Sequence, residues 1–392
     1  MMMDVAQLIG TPSPLGAPAP YWLIAFLKLL GFTLHIAAMH LWYAGLLIAL
    51  LLGVSGRPHT GVLSGRLMRR MPIIVAYGVN FGIVPLLFIQ VSYYRVFYPA
   101  TILMAWFWLS IIVLLTLAYY GVYFYASGLR SPTGLTWFHG LVGWGASCLF
   151  VAIGFLFANG FSLMTNLHDW PQLWLRASVG GAALGTALNI ADPTFWPRWL
   201  MMFGLAITTV AAYVAVDAGL FAGRESEEYR RWAPDFALNL YTFGGVWFAI
   251  MGAWYVFGTW SAEARQYMLG GSLILLTGLT AVGPGFPWFC ILLQSRGAGT
   301  PSRFALAAGV GQVVTLALNA VSRQLLQNFE LRRFVDVTAE PVATQLSPLV
   351  LFVVLLVAAL AIIAWMVVKI MAAERRGPVG RMWGAVGTPR PR

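Results

Sequence analysis

The chain has 392 residues, of which 60% are hydrophobic and 9% charged, and its mean hydropathy is +0.77. A soluble domain carries about 25% charge, so a soluble enzyme is excluded. The net charge is +11, but the arginines fall mostly in short loops and near the C-terminus, where positive charge orients a membrane protein, and no nucleic-acid partner is expected.

The first 20 residues read as an extramembrane tail. They contain Asp4 but no basic stretch, and the Pro-rich 11–20 segment precedes the first apolar run, so this is not a cleavable signal peptide. Runs of about 20 apolar residues predict spanning helices near 21–53, 72–94, 99–126, 135–161, 197–222, 236–258, 266–294, 303–323 and 347–371. The 170–190 stretch is too polar and Gly-rich to add a tenth. The fold class is therefore all-α, a polytopic bundle of about nine transmembrane helices over 21–371, followed by a basic tail at 372–392. With the N-terminus outside, the inner segments hold 16 Lys and Arg and the outer segments 7. That bias predicts a cytoplasmic C-terminus and makes 162–196 and 324–346 the long outer segments, which read as an ordered cap. Multi-pass insertion in a bacterial inner membrane is the expected location, with lipid as solvent. No internal repeat supports an inverted-repeat transporter.

Few polar residues lie inside the spans. In the first span, His35 sits at mid-depth, where an imidazole is costly unless it bonds a neighbouring helix or ligates a metal. Met39, four residues on, shares its helix face and reads as packing, because two groups on one face cannot take opposite sides of one iron; His40 points elsewhere. His139 and His168 read as interfacial or hydrogen-bonded. Asn80, Gln90, Asn189, Gln312 and Asn319 read as interhelical bonds. Asp217 is the one carboxylate well inside a span, a thin basis for a proton pathway. The seventh span carries Val282-Gly283-Pro284-Gly285-Phe286-Pro287-Trp288, which cannot remain regular helix and reads as a packing kink or as backbone lining a cavity. Cys148 and Cys290 lie in apolar spans and no C-x-x-C-H occurs, so a disulfide framework, a Cys-rich iron–sulfur cluster and covalent c-type haem are not supported.

The stretches Gly143–Gly160, Tyr77–Gly82 and Val321–Gln324 together resemble subunit I of cytochrome bd-type quinol oxidases. The fourth span, Gly143-Trp144-Gly145-Ala146-Ser147 through Phe157-Ala158-Asn159-Gly160, is similar to that family's corresponding helix with its Ala-Asn-Gly ending. Tyr77-Gly78-Val79-Asn80-Phe81-Gly82 is similar to its Gly-Ile-Asn-Phe motif, and Val321-Ser322-Arg323-Gln324 to its Gly-Arg-Gln-Pro-Trp motif. The Leu346-Ser347-Pro348 helix continues the likeness. The resemblance implies a bd-like bundle in which His35 ligates the iron of a high-spin b haem and Arg323 holds haem propionates.

The departures are as informative. Leu103 and Ile111 stand where the family's third helix carries two glutamates, so haem d is not expected. Near the family's fifth-helix haem ligand the chain reads Arg198-Trp199-Leu200-Met201-Met202, leaving Met201 or Met202 as thioether ligands or as packing. Only Thr259 to Arg265 joins the sixth and seventh spans, so the long quinol-binding loop is missing. The resemblance thus implies a b-haem-binding integral subunit of a respiratory electron-transfer complex, an oxidoreductase component working with other membrane subunits. Electrons would pass between the quinone pool and a periplasmic c-type cytochrome. One alternative is a terminal oxygen reductase subunit with a rearranged haem site, separable by CO-sensitive high-spin haem. Another is a haem-free scaffold or transporter, separable by haem analysis.

Overall fold

A computed structural model describes residues 4–132, 134–297 and 301–375. Among these are nine helices long and apolar enough to cross a membrane: α1 Tyr21–Val54, α2 Pro58–Ser92, α3 Ala105–Gly128, α4 Trp137–Leu163, α5 Phe195–Phe221, α6 Glu227–Thr259, α7 Gly271–Ser295, α8 Pro301–Leu331 and α9 Leu346–Lys369. Among the described residues the protein is all-α apart from a two-residue hairpin pairing Ser178–Val179 with Ala182–Ala183 and one isolated bridge. The expected nine-helix bundle is therefore the observed one. The basic tail, from residue 376 on, lies outside the described residues.

Consecutive helices form antiparallel pairs, α1 with α2, α3 with α4, α5 with α6 and α7 with α8. The α5–α6 pair is in backbone contact because each helix places a glycine at the crossing: a Cβ on Gly204 would lie 2.8 Å from the Phe248 nitrogen, and one on Gly244 2.9 Å from the Thr208 nitrogen. Small residues allow this approach, which replaces the hydrophobic drive that lipid does not supply. The central core joins α1, α2, α4, α5 and α6 through Tyr43, Leu46, Met68, Met71, Phe150, Val210 and Tyr241, each at most 2% exposed. In contrast α9, the most apolar helix, has nothing buried across its most hydrophobic stretch. It meets α2 edge-on through Phe352 against Phe88, ring centroids 5.1 Å apart.

Three helices extend past the apolar runs that announced them. The second begins at Pro58, not 72, because its first turns carry Arg66, Arg69 and Arg70 and leave the apolar window. The sixth begins at Glu227, where Ser226 caps it by accepting from the Tyr229 nitrogen at 3.1 Å. The eighth runs to Leu331, not 323, so Arg323 lies two turns inside its helix. Conversely, the predicted third span splits. Backbone breaks at Tyr93 (φ −121°, ψ 19°) and Met104 (φ −114°, ψ 30°) isolate a short helix, Tyr94–Leu103, before α3. The seventh span breaks at Gly283–Pro284 between Ile274–Val282 and Gly285–Ser295, where the prolines at 284 and 287 leave donors missing.

The face of the bundle nearest residue 21 is covered by an ordered cap. The N-terminal segment is tied down at both ends: Gly10 and Arg95 bond each other through the Gly10 N–H and the Arg95 Nε–H at 2.8 and 2.9 Å, and Ala17 bridges to Val342 in parallel. Arg95 and Tyr94 both reach Glu340, at 3.6 and 3.3 Å; partial burial beside that carboxylate raises the Tyr94 phenol above its ordinary pKa. The 164–194 segment hangs on buried side chains of α4. Asn159 accepts from the Asn189 N–H at 2.7 Å, Ser162 donates to Asp192 at 2.8 Å, and buried Trp170 donates to the Leu163 carbonyl at 2.9 Å.

Candidate functional site

His35 projects from α1 onto α2, which receives the ring because it offers Gly78 and Gly82 there. A Cβ on Gly82 would stand 2.8 Å from both Cε1 and Nδ1 of the imidazole. Nδ1 lies 2.8 Å from the Gly78 carbonyl oxygen. A carbonyl can only accept, so Nδ1 carries the proton and Nε2 keeps its lone pair. Trp42 packs edge-on, with ring centroids 6.1 Å apart. A ligating histidine uses this arrangement, one nitrogen donating to a protein oxygen and the other free for iron. The residues therefore fit an axial ligand.

Arg323 on α8 reaches the same helix one turn away. Its guanidinium lies over the rings of Phe32 and Phe161, 5.8 and 5.1 Å from their centroids. It lines a cavity with Phe161, Thr165, Arg198, Tyr255, Leu326, Gln327 and Glu330. Arg198 belongs to the motif read from sequence, yet its part here was missed: its Nη2 is buried without a hydrogen-bond partner. Lys28, 6% exposed, places its ammonium 4.5 Å from the centroid of Tyr93. That ring is fixed by hydrogen bonds of the Tyr93 hydroxyl with Tyr21, Asn328 and Gln324. Gln324 of the Ser-Arg-Gln motif thus serves this network.

The methionines diverge. Met201 packs among Ile36, Leu205, Phe248 and Leu316, with its sulfur 3.5 Å from where a Gly252 Cβ would be, whereas Met202 joins the central core. Consecutive helical residues point about 100° apart, so at most one can face any shared group. Around them Trp199 packs on Phe155 at 5.5 Å and Phe203 on Tyr43 at 5.7 Å. Leu103 and Ile111 are buried at 3% and 6%, and no Asp or Glu occurs between residues 94 and 128.

His40 is fully buried, its Nδ1 2.9 Å from Thr209 Oγ1, in a network that continues through Gln312 to Tyr241. Gln312 and Asn189 bond other segments, but Asn80 and Asn319 do not link helices; each donates to the carbonyl four residues back, at 2.8 and 3.1 Å. His139 bonds the N-cap Thr136 at 2.7 Å, and His168 is exposed beside Asp169. Asp217 is not available to a proton chain in this arrangement. Arg66 grips it bidentately at 2.6 and 2.8 Å, and Arg70 meets it at 2.5 Å. Arg66 also bonds Glu225 and the Phe221 carbonyl, 2.6 and 2.9 Å away, the latter in the π-turn Asp217–Phe221 that ends α5. Among the described residues no three His, Cys, Asp or Glu converge on a metal site.

These features define a polytopic membrane protein with a half-buried histidine between two of its helices and, nearby, buried Lys28 and half-buried Arg198 and Arg323. No family model matches the chain, and no curated protein matches it by sequence. In structure it is similar to the bd oxidase from Geobacillus thermodenitrificans, with a TM-score of 0.61 at 15% identity over 91% of this chain and 98% of that one. At that identity the likeness is one of fold: the chain has the bundle of a bd oxidase subunit.

Proposed function

We propose that the protein is a b-haem-binding integral subunit of a respiratory electron-transfer complex, passing electrons between the quinone pool and a c-type cytochrome. The observation that carries this reading is His35: an imidazole in the bundle interior whose Nδ1–H is committed to Gly78, leaving Nε2 as a lone pair. Bound haem would supply reversible one-electron chemistry. The chain's own part is to hold the iron through His35, to orient that ring through Gly78 and Gly82, and to neutralise the propionates with Arg323, whose planar fork suits carboxylates. The surrounding apolar packing excludes water and raises the effect of each nearby charge on the iron.

Haem d has no place in this reading, because the helices carrying Leu103 and Ile111 offer no acid to ligate or to carry a proton. The charge bias puts the capped face outside, where the 164–194 and 332–345 segments give a periplasmic c-type cytochrome a surface to dock on. Exposed apolar faces such as that of α9 are left to lipid and other membrane subunits. The purified protein is expected to show a reduced-minus-oxidised spectrum with the α band of haem b and no long-wavelength chlorin band. A chlorin band would favour the oxygen reductase, and a blank spectrum with negative pyridine haemochrome the haem-free scaffold.

A further inference from the structure

The segment between α4 and α5 holds a stretch that neither spans the bilayer nor has the composition of a loop in water. Residues 177–191 carry no charged side chain, and the stretch is pinned beside the starts of two spans that open on the capped side. At α3, the Trp106 N–H donates to the Gly185 carbonyl at 3.1 Å, and the Ala187 N–H donates to the Leu103 carbonyl at 2.9 Å. At α5, the Trp196 indole donates to the Ile190 carbonyl at 3.0 Å. Both tryptophans stay open to the surroundings of the bundle, Trp106 at 69% exposure. Tryptophan at the end of a span marks the boundary between acyl chains and headgroups, so the stretch held between the two runs at that depth.

Its two sides differ. Inward, Ala177, Ala187 and Asn189 are buried, the last bonded to Asn159 and Ser162 of α4. Outward, Leu175, Val179, Leu184 and Ile190 are exposed, Val179 at 67%. Val179 pairs with Ala182 across the hairpin, and Leu184, two residues on, shares its face. The turn is Gly180–Gly181 at φ 58° and 81°, which a tight two-residue hairpin needs at both positions and glycine adopts without strain. Arg176, at the foot, is exposed and makes no ion pair among the described residues. Apolar side chains exposed together mark a membrane or protein contact. Continuity with Trp106 and with the exposed Leu109 and Ile112 further along α3 selects lipid. We infer that the 175–190 hairpin is an interfacial membrane anchor. Its apolar side lies at the headgroup–acyl boundary of the leaflet on the capped side, with Arg176 at the level of the phosphates. That placement leaves 164–174 and 332–345 to face water and is independent of haem.

The test is a nitroxide attached through Val179→Cys, in purified protein that also carries Cys148→Ala and Cys290→Ala, reconstituted in phosphatidylcholine–phosphatidylglycerol nanodiscs. Power saturation compares collisions with oxygen, which concentrates in lipid, against collisions with a water-soluble nickel chelate. Labels through Ile112→Cys, on the exposed face of α3, and Ala339→Cys, in the exposed 332–345 segment, set the lipid and water limits. The Val179 label should read close to Ile112, with an oxygen-to-chelate ratio several-fold above that at Ala339. A ratio equal to that at Ala339 would overturn the anchor. So would a label shielded from both reagents, which would put the hairpin against another protein subunit. Wild-type protein gives a second reading that no variant distorts: a phospholipid with a carbene precursor on its acyl chain near the glycerol should leave adducts within 175–190. Adducts on α9 with none in that stretch would also overturn the proposal.

Discussion

Gly82 makes a test of how His35 is held. Gly82→Ala would put a methyl 2.8 Å from the imidazole, closer than any relaxed contact, and either the ring or α2 must give way. The expected outcome is a variant that inserts normally but shows a shifted Soret band and reduced haem per chain by pyridine haemochrome; an unchanged spectrum would mean that the ring does not sit in this groove when loaded. The sequence made His35 stand out as a polar group in an apolar run, and Arg323 through the Ser-Arg-Gln stretch that resembles a family motif. It gave no such prominence to Lys28 and Arg198, since a cation near a span end reads equally well as a snorkelling anchor. What distinguishes them is that α1, α5 and α8 aim all three cations inward, a fact of packing rather than of spacing. Gly78 and Gly82 were visible as a motif, but their purpose, a bed for the ring, needed the neighbouring helix.

At the scale of elements, the spans were legible because hydropathy measures the bilayer, and their ends were not, because helices continue into polar surroundings. The start of α2 is the clear case. The turns carrying Arg66 and Arg70 look like loop in an apolar window, yet they are helical and reach Asp217 at the end of α5. Asp217 is thereby a tie between two helices. Asp217→Asn should destabilise the protein in detergent by about 1.5–3 kcal/mol, because it removes the buried carboxylate that Arg66 and the partly exposed Arg70 share, while Arg66 keeps Glu225. Thermal unfolding measures this. Removing charge together, in Arg66→Met with Asp217→Leu, should recover part of the loss, and a double variant no better than the sum of its single changes would show that the pair is not coupled. The cap likewise depends on α4: Asn159→Ala removes the acceptor of the buried Asn189 N–H and should cost about 1–3 kcal/mol, read as faster proteolysis of the 164–194 segment.

Across the whole molecule, the described residues share the fold of the bd oxidase bundle at 15% identity, and the charge bias predicts that the capped face lies outside. A fluorescent reporter that matures only in the cytoplasm, fused to Arg392, should therefore light up; a dark fusion with an active periplasmic reporter would reverse the orientation and move the cytochrome-docking surface to the other side. The central claim is narrower and can be measured directly by haem per chain in purified wild-type protein and in His35→Ala. The account predicts haem b in the wild type and its loss in the variant, with the variant still inserted and monodisperse. Equal haem content in the two proteins would contradict it, returning His35 to a hydrogen bond that only joins α1 to α2.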